Sequence, residues 1–277
     1  MKKLLVFVIA ALAASAAASA DAQKGGPATV LNGGRGVVSP EGNTRYVALT
    51  TGQHTIVSFT RVPGGQVTNW RQLRGYFGIP QVSLDGTTDG ISRDGRTLVL
   101  ATPAGAGSPG DNVTTQFALI DTRSLRLRRV TLRGLWSYDA ISPDGSVLYL
   151  IQYEELGPKV TYRVRAYDLE ARRLLARAIV DRTIGERLMR GWAVTRRTTS
   201  DGRWAYTLYA RAGKEPFVHA LDTTRRQAYC IDLPLDLRRP EQMRLRLALS
   251  RDRMLDVRHG GETVAVVDTR SFVVHKH

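Results

Sequence analysis

One short phrase returns five times along this chain: a small polar residue, a turn acid and usually glycine, followed by an apolar run, a loop, a second apolar run and an aspartate. It reads Ser39-Pro40-Glu41-Gly42, Ser92-Arg93-Asp94-Gly95, Ser142-Pro143-Asp144-Gly145, Ser200-Asp201-Gly202 and, in degenerate form, Ser250-Arg251-Asp252-Arg253. Successive acids (Glu41, Asp94, Asp144, Asp201, Asp252) lie 53, 50, 57 and 51 residues apart, the period of a propeller blade rather than of a helical solenoid.

Inside each unit the apolar residues alternate with period two, as half-buried strands require. The third unit predicts strands at 135–142, 147–153, 161–168 and 174–180, with Asp144-Gly145 supplying the first turn. The second and fourth units follow the same plan, and the first and fifth follow it more loosely. The fold expected is all-β: a five-bladed β-propeller of four-stranded antiparallel blades, roughly 28–75, 76–134, 135–181, 182–234 and 235–277. Ring closure needs a pairing, and Ala28-Thr29-Val30-Leu31 is a candidate to lie beside Phe272-Val273-Val274.

Residues 1–22 read as a signal peptide: a Lys2-Lys3 n-region, an apolar stretch from Leu4 to Leu12, and small residues at Ala18-Ser19-Ala20. The domain is then 23–277, secreted or periplasmic, with no transmembrane segment in the mature chain. Cys230 is the single cysteine, so no internal disulfide is expected, and it reads as a small hydrophobe on a strand. The chain carries 40 Lys and Arg against 25 Asp and Glu, a formal charge of +15. That field favours an anionic or protein partner at the cell envelope, with no specific nucleic acid implied. In 125–130 the alternation Leu-Arg-Leu-Arg-Arg-Val places leucines inward and arginines outward, a usual defence of a sheet edge.

Units such as Ser142-Pro143-Asp144-Gly145-Ser146-Val147-Leu148-Tyr149-Leu150, followed by Val164-Arg165-Ala166-Tyr167-Asp168, resemble the repeats of YVTN, TolB-like and WD40-like propellers. The resemblance covers nearly all of the chain after residue 22. It departs from the YVTN pattern in lacking the asparagine that ends the second strand. What the resemblance implies is a scaffold for binding; some relatives are lactonases, but no matching catalytic signature is present here.

The repeated acids have a sufficient role in bonding their own turns, so none is a site candidate. Long loops at 75–89, 103–115 and 181–191, with the inter-blade connections, are expected to gather on one face of the ring. Arginine and aromatic residues there form the expected partner-binding set: Tyr76, Trp136, Tyr138, Arg187, Arg190, Trp192, Arg238 and Arg239. Motifs for a serine elbow, a zinc helix, a Cys-x-x-Cys pair and a phosphate loop are all missing. Neither a cofactor nor a metal is called for, although His54 and His259, with His275 and His277, fall in equivalent or terminal positions. The expected function is a non-catalytic binding or scaffold propeller. The alternatives are a hydrolase in the channel mouth, lactonase-like or glycan-acting, for which Asp89, Asp139 and Glu154 are the candidate acids, and a structural envelope assembly protein.

Overall fold

The computed structural model describes residues 29–103, 113–155, 160–179, 181, 188–250 and 254–277. The stretch read as a signal peptide therefore lies outside the described residues. No described helix is long and apolar enough to cross a membrane.

The described chain is all-β apart from one four-residue helix. A leading strand, β1 (Thr29–Leu31), precedes the first sheet, β2 (Val37–Val38), β3 (Thr44–Thr51), β4 (His54–Arg61) and β5 (Val67–Arg74). After β6 (Ile79–Gln81) comes a second sheet, β7 (Thr97–Ala101), β8 (Thr114–Asp121) and β9 (Leu127–Arg133). The third holds β10 (Trp136–Ile141), β11 (Val147–Glu155), β12 (Thr161–Asp168) and β13 (Arg173–Leu174). The fourth holds β14 (Trp192–Thr198), β15 (Trp204–Ala210), β16 (Phe217–Asp222) and β17 (Gln227–Asp232). Helix α1 (Arg239–Gln242) leads to the fifth sheet, β18 (Arg246–Leu249), β19 (Met254–His259), β20 (Glu262–Asp268) and β21 (Val274–Lys276). Every pairing between these strands is antiparallel, and each of the five sheets runs in chain order.

Period two explains how the sheets stack. On β7, Leu98 and Leu100 pack toward the first sheet while Val99 and Ala101 pack toward the third. On β11, Leu148 and Leu150 face the second sheet and Val147, Tyr149 and Ile151 face the fourth. On β15, Tyr206 and Leu208 join the fifth sheet's Leu255, Val257, Ala265 and Val267. Middle strands are thus buried on both faces, which is why they read as near-continuous apolar runs. Inner strands from the first four sheets also meet around one small cavity, described below. Sheets stacked face to face about such a centre make a β-propeller architecture.

The turn phrase does what its chemistry dictates. Ser142 Oγ donates to Asp144 Oδ1 at 2.6 Å, Asp144 Oδ1 accepts the Ser146 N–H at 3.0 Å, and Ser142 Oγ accepts the Val147 N–H at 2.9 Å. The same bonds recur at Ser92 and Asp94, and at Thr199 and Asp201. Gly145 sits at φ +70°, and a Cβ there would come within 2.6 Å of Thr97 Oγ1 on the second sheet. Its glycine serves both the turn and the approach of one sheet to the next.

Two expectations need correction. First, β1 does not lie beside the last sheet: Thr29, Val30 and Leu31 pair with Gln81, Pro80 and Ile79. The fifth sheet is completed by its own β21, paired with β20. Second, the second sheet has three strands rather than four, because its inner edge is interrupted. Gly78 and Ala101 exchange main-chain bonds at 3.0 Å, and Ile91 bridges Leu98, but 79–89 leave that edge. In the third sheet β13 is only two residues long, with an isolated bridge between Val164 and Ile179 beyond it. The outer arginines stand outward as expected: Arg126, Arg128 and Arg129 are exposed, while Leu125 and Leu127 pack inward. Arg129 donates to the Arg74 carbonyl at 2.7 Å and lies 5.0 Å above the Phe77 ring, and Arg71 donates to the Leu125 carbonyl. These guanidinium groups staple the first and second sheets through main-chain oxygens, a use of arginine that needs no acid.

Candidate functional site

The segment that leaves the second sheet turns inward. Leu84 and Asp85 donate their N–H groups to the Ala193 and Val194 carbonyls of β14 at 2.9 and 3.1 Å, so this segment crosses to the fourth sheet. Asp85 holds the turn: its Oδ1 accepts from Ser83 Oγ, Thr87 Oγ1 and the Thr87 N–H. Burial works against its charge, but these bonds prevail and hold the carboxyl below its ordinary range. Asp89 then leads into the 90–92 edge of the second sheet, with Oδ1 accepting the Gly90 N–H at 2.6 Å.

Two bulges aim side chains at the same region. On β10 the register passes from Tyr138 opposite Leu150 to Ala140 opposite Tyr149, leaving Asp139 unpaired. On β14 it passes from Ala193 to Thr195 in the same way. Such insertions redirect the flanking side chains. Arg196 consequently reaches across from the fourth sheet to Asp139 of the third, donating to its carboxylate and its main-chain carbonyl, and also to Thr207 Oγ1 at 2.7 Å. The two side chains are 2% and 1% exposed, so this ion pair is dry.

A polar interior surrounds the pair. Asp139 Oδ2, His219 Nε2 and the Tyr138 and Tyr162 hydroxyls are buried without a hydrogen bond of good geometry. Burial lowers the His219 pKa to about 4, so its imidazole is neutral at pH 7. Burial raises that of Asp89, against the opposing pull of the Arg196 charge. For Arg196 itself, burial disfavours the charge, yet Asp139 and Asp89 outweigh it and raise its pKa.

Asp89 is enclosed by protein on nearly every side yet keeps partial solvent access, because one edge of it lines a cavity of about 170 Å³. Val38 and Pro40 of the first unit, Ile91 and Arg93 of the second, Ala140 of the third and Thr199 of the fourth form its walls. The cavity opens at the end of the sheets that carries the repeated turns. It has room for water or a very small polar guest, and Asp89 is the one carboxylate of a lining that also includes Arg93, Thr198, Thr199, Ser200 and Thr223.

The structure thus brings together two of the three candidate acids, Asp89 and Asp139, and leaves out the third: Glu154 is on the surface, paired with Arg163 at 3.1 Å. Arg196 was missed in the sequence. Its signal was a charge directly after the uncharged inner run 192–195 and still inside the strand, where a cation must find a partner.

Of the eight partner-binding candidates, Trp192, Arg238 and Arg239 share one locality. Arg239 lies 4.9 Å above the Trp192 ring, and Arg238, whose side chain is 91% exposed, opens α1 with its N–H bonded to Glu241. Arg190 is exposed two residues before Trp192, and Tyr76 is exposed on the first connection between sheets. Arg187 lies outside the described residues. Trp136 and Tyr138 are in the core rather than on a rim. The Trp136 main chain accepts no freedom there: its N–H donates to Thr115 Oγ1 at 3.0 Å and its indole to the Arg133 carbonyl at 2.8 Å. Phe77 is tied to Thr55 in the same way, so this aromatic position anchors the step from one sheet to the next. Among the described residues no group of three or more His, Cys, Asp or Glu stands together as a metal site.

The sequence matches no model of a protein family and no curated protein. Solved structures similar to it include Kuenenia stuttgartiensis hydrazine synthase, at 14% identity and a TM-score of 0.49, covering 86% of this chain and 64% of that one. TolB from Acinetobacter baumannii is similar at 12% identity and a TM-score of 0.46, over 86% of this chain and 52% of that one. The β-propeller domain of Myceliophteria thermophila Cps50 (Swd1) is similar at 15% identity and a TM-score of 0.45, over 88% and 71%. The chain spans less than two thirds of the length of the first two. TolB and a β-propeller domain are thus among its structural neighbours.

Proposed function

We propose that this chain is an exported five-bladed propeller that acts as a binding or scaffold module for an anionic or protein partner at the cell envelope. The observation that carries this reading is the disposition of its cations. Over the whole chain 40 Lys and Arg outnumber 25 Asp and Glu, and seven arginines form ion pairs among the described residues. Some of the others act as staples between sheets, and the rest leave a positive field that draws anions. Arg239 over Trp192, with Arg238 next to it in the chain and Arg190 two residues before the tryptophan, gives that field an aromatic anchor of the kind that concentrates binding energy. Support for five blades comes from five sheets in chain order, each contacting the next through its own apolar cluster.

The test is retention of the purified chain on a polyanionic matrix across a salt gradient, compared with an Arg190→Gln/Arg238→Gln/Arg239→Gln variant. Elution at lower salt for the variant, with an unchanged melting curve, is expected. Retention insensitive to salt in both proteins would remove the anionic reading and leave a protein partner.

A further inference from the structure

A second feature, on the opposite end of the sheets from α1, lies in the cleft between the fourth and fifth sheets. It encloses about 1140 Å³, above the range of 300–1,000 Å³ usual for sites that take a single small molecule. Its cations are Arg197, Arg203, Arg225 and Arg270, and the acid among its lining residues is Asp201. Asp201 is already committed to its turn, accepting from Thr199 Oγ1 at 2.5 Å and the Arg203 N–H at 3.0 Å. Arg203 is paired with Asp222 at 2.8 Å and Arg197 bonds the Arg196 carbonyl at 2.6 Å. Arg225 and Arg270, by contrast, are exposed on the two turns flanking the cleft, and among the described residues neither side chain has an ion pair or hydrogen bond.

The floor is aromatic. Trp204 stacks on Tyr206 at 5.8 Å and 9°, meets Phe272 edge-on at 5.6 Å, and carries the Arg203 guanidinium 5.5 Å from its centroid. Phe272 and Tyr229 are 4.8 Å apart. With the Trp204 ring stacked on one neighbour and capped by a cation, a flat base has little open face on which to stack. What the cleft offers instead is ring edges, hydroxyls at Thr198 and Ser200, and two unpaired guanidinium forks that match carboxylates.

We propose that this cleft binds an acidic oligosaccharide, with the carboxylates of successive sugar units on Arg225 and Arg270 and the sugar rings against the exposed ring edges of Trp204 and Phe272. The inference deepens the anionic-partner reading and moves it to residues outside the eight candidates. The sequence did not flag them because they follow the turn acids, Asp222-Thr223-Thr224-Arg225 and Asp268-Thr269-Arg270, in a motif whose structural role is sufficient in itself.

The experiment is calorimetric titration of the purified chain with alginate oligosaccharide, dextran oligosaccharide of equal length and inorganic polyphosphate of equal charge. Alginate is expected to bind, dextran not, and polyphosphate more weakly than alginate. An Arg225→Ala/Arg270→Ala variant should bind alginate about tenfold more weakly, while Arg61→Ala/Arg173→Ala, which removes two exposed arginines outside both surfaces, should bind it as the parent does; Arg238→Ala/Arg239→Ala is the arm that reads the surface at Trp192. Equal affinity for polyphosphate overturns the assignment to a glycan, and unchanged affinity in the Arg225/Arg270 variant overturns the cleft. Loss confined to the Arg238/Arg239 variant refutes the cleft while the anionic-partner reading survives; no binding of any polyanion defeats both.

Discussion

The Arg196 guanidinium, carried by the inner strand of the fourth sheet, closes on both the carboxylate and the main-chain carbonyl of Asp139 in the third. Removing one partner strands the other charge in a dry interior. Arg196→Met is therefore expected to cost about 3–5 kcal/mol in urea unfolding. The double variant Arg196→Met/Asp139→Leu should recover much of that loss, because neither member of the dry pair is left alone and Asp89 keeps its partial solvent access. Additive destabilisation in the double variant would show that the pair is not coupled.

His219 makes stability depend on pH in a defined window. Its pKa falls from 6.5 in the unfolded chain to about 4 in the folded one, so between those values only the unfolded chain takes up the proton. Stability is present above about 6.5 and drains away as pH falls toward 4, by on the order of 3 kcal/mol. His219→Gln should flatten the slope in that window relative to the parent. Thermal melts at half-unit pH steps measure it; parallel profiles for the two proteins would contradict a buried neutral imidazole.

Asp89 acts with the opposite sign. Its folded pKa lies above the unfolded value of 3.8, so ionisation is harder in the folded state and its contribution to stability shrinks as pH rises through the acid range. In Asp89→Asn that decline is absent. The stability of the variant relative to the parent is thus expected to increase from pH 4 upward and then level off, whatever the offset between them. A relative stability that decreases over the same range would reverse the assignment.

Two glycines of the repeated phrase separate turn strain from packing. Gly42 and Gly145 have similar conformations, φ +77° and +70°, but a Cβ on Gly42 meets nothing within 4 Å while one on Gly145 reaches Thr97 Oγ1 at 2.6 Å. Gly145→Ala should be roughly 1–3 kcal/mol more costly than Gly42→Ala, the difference being the price of overpacking. Equal losses in chemical denaturation would assign the whole effect to the backbone.

Strands were legible wherever neighbouring residues determine them. The alternation in 161–168 and the Asp-Gly turn before 147 depend on bonds within one hairpin, and β12 and the turn at Ser142 and Asp144 formed as those bonds require. Pairings between distant segments were not legible. Three apolar residues at 29–31 suit any open edge, and nothing in them specifies Ile79–Gln81 rather than the last sheet. The 75–89 connection read as a surface loop because it is rich in turn residues, yet its N–H groups at Leu84 and Asp85 complete an edge of β14. At the site, Asp89 and Asp139 could be named as acids from sequence. Their meeting at Arg196 depended on two bulges, and period two carries no trace of an inserted residue.

From the third sheet onward, each sheet is one uninterrupted stretch of chain that passes directly to its successor, and β1 takes no part in the last of them. A copy of such a stretch could be spliced in, or one excised, without rethreading any other strand. Only a change beyond the fourth sheet leaves Arg196 and Asp139 facing each other, so the molecule's size can vary by whole cassettes at that end provided the newly adjacent faces mesh.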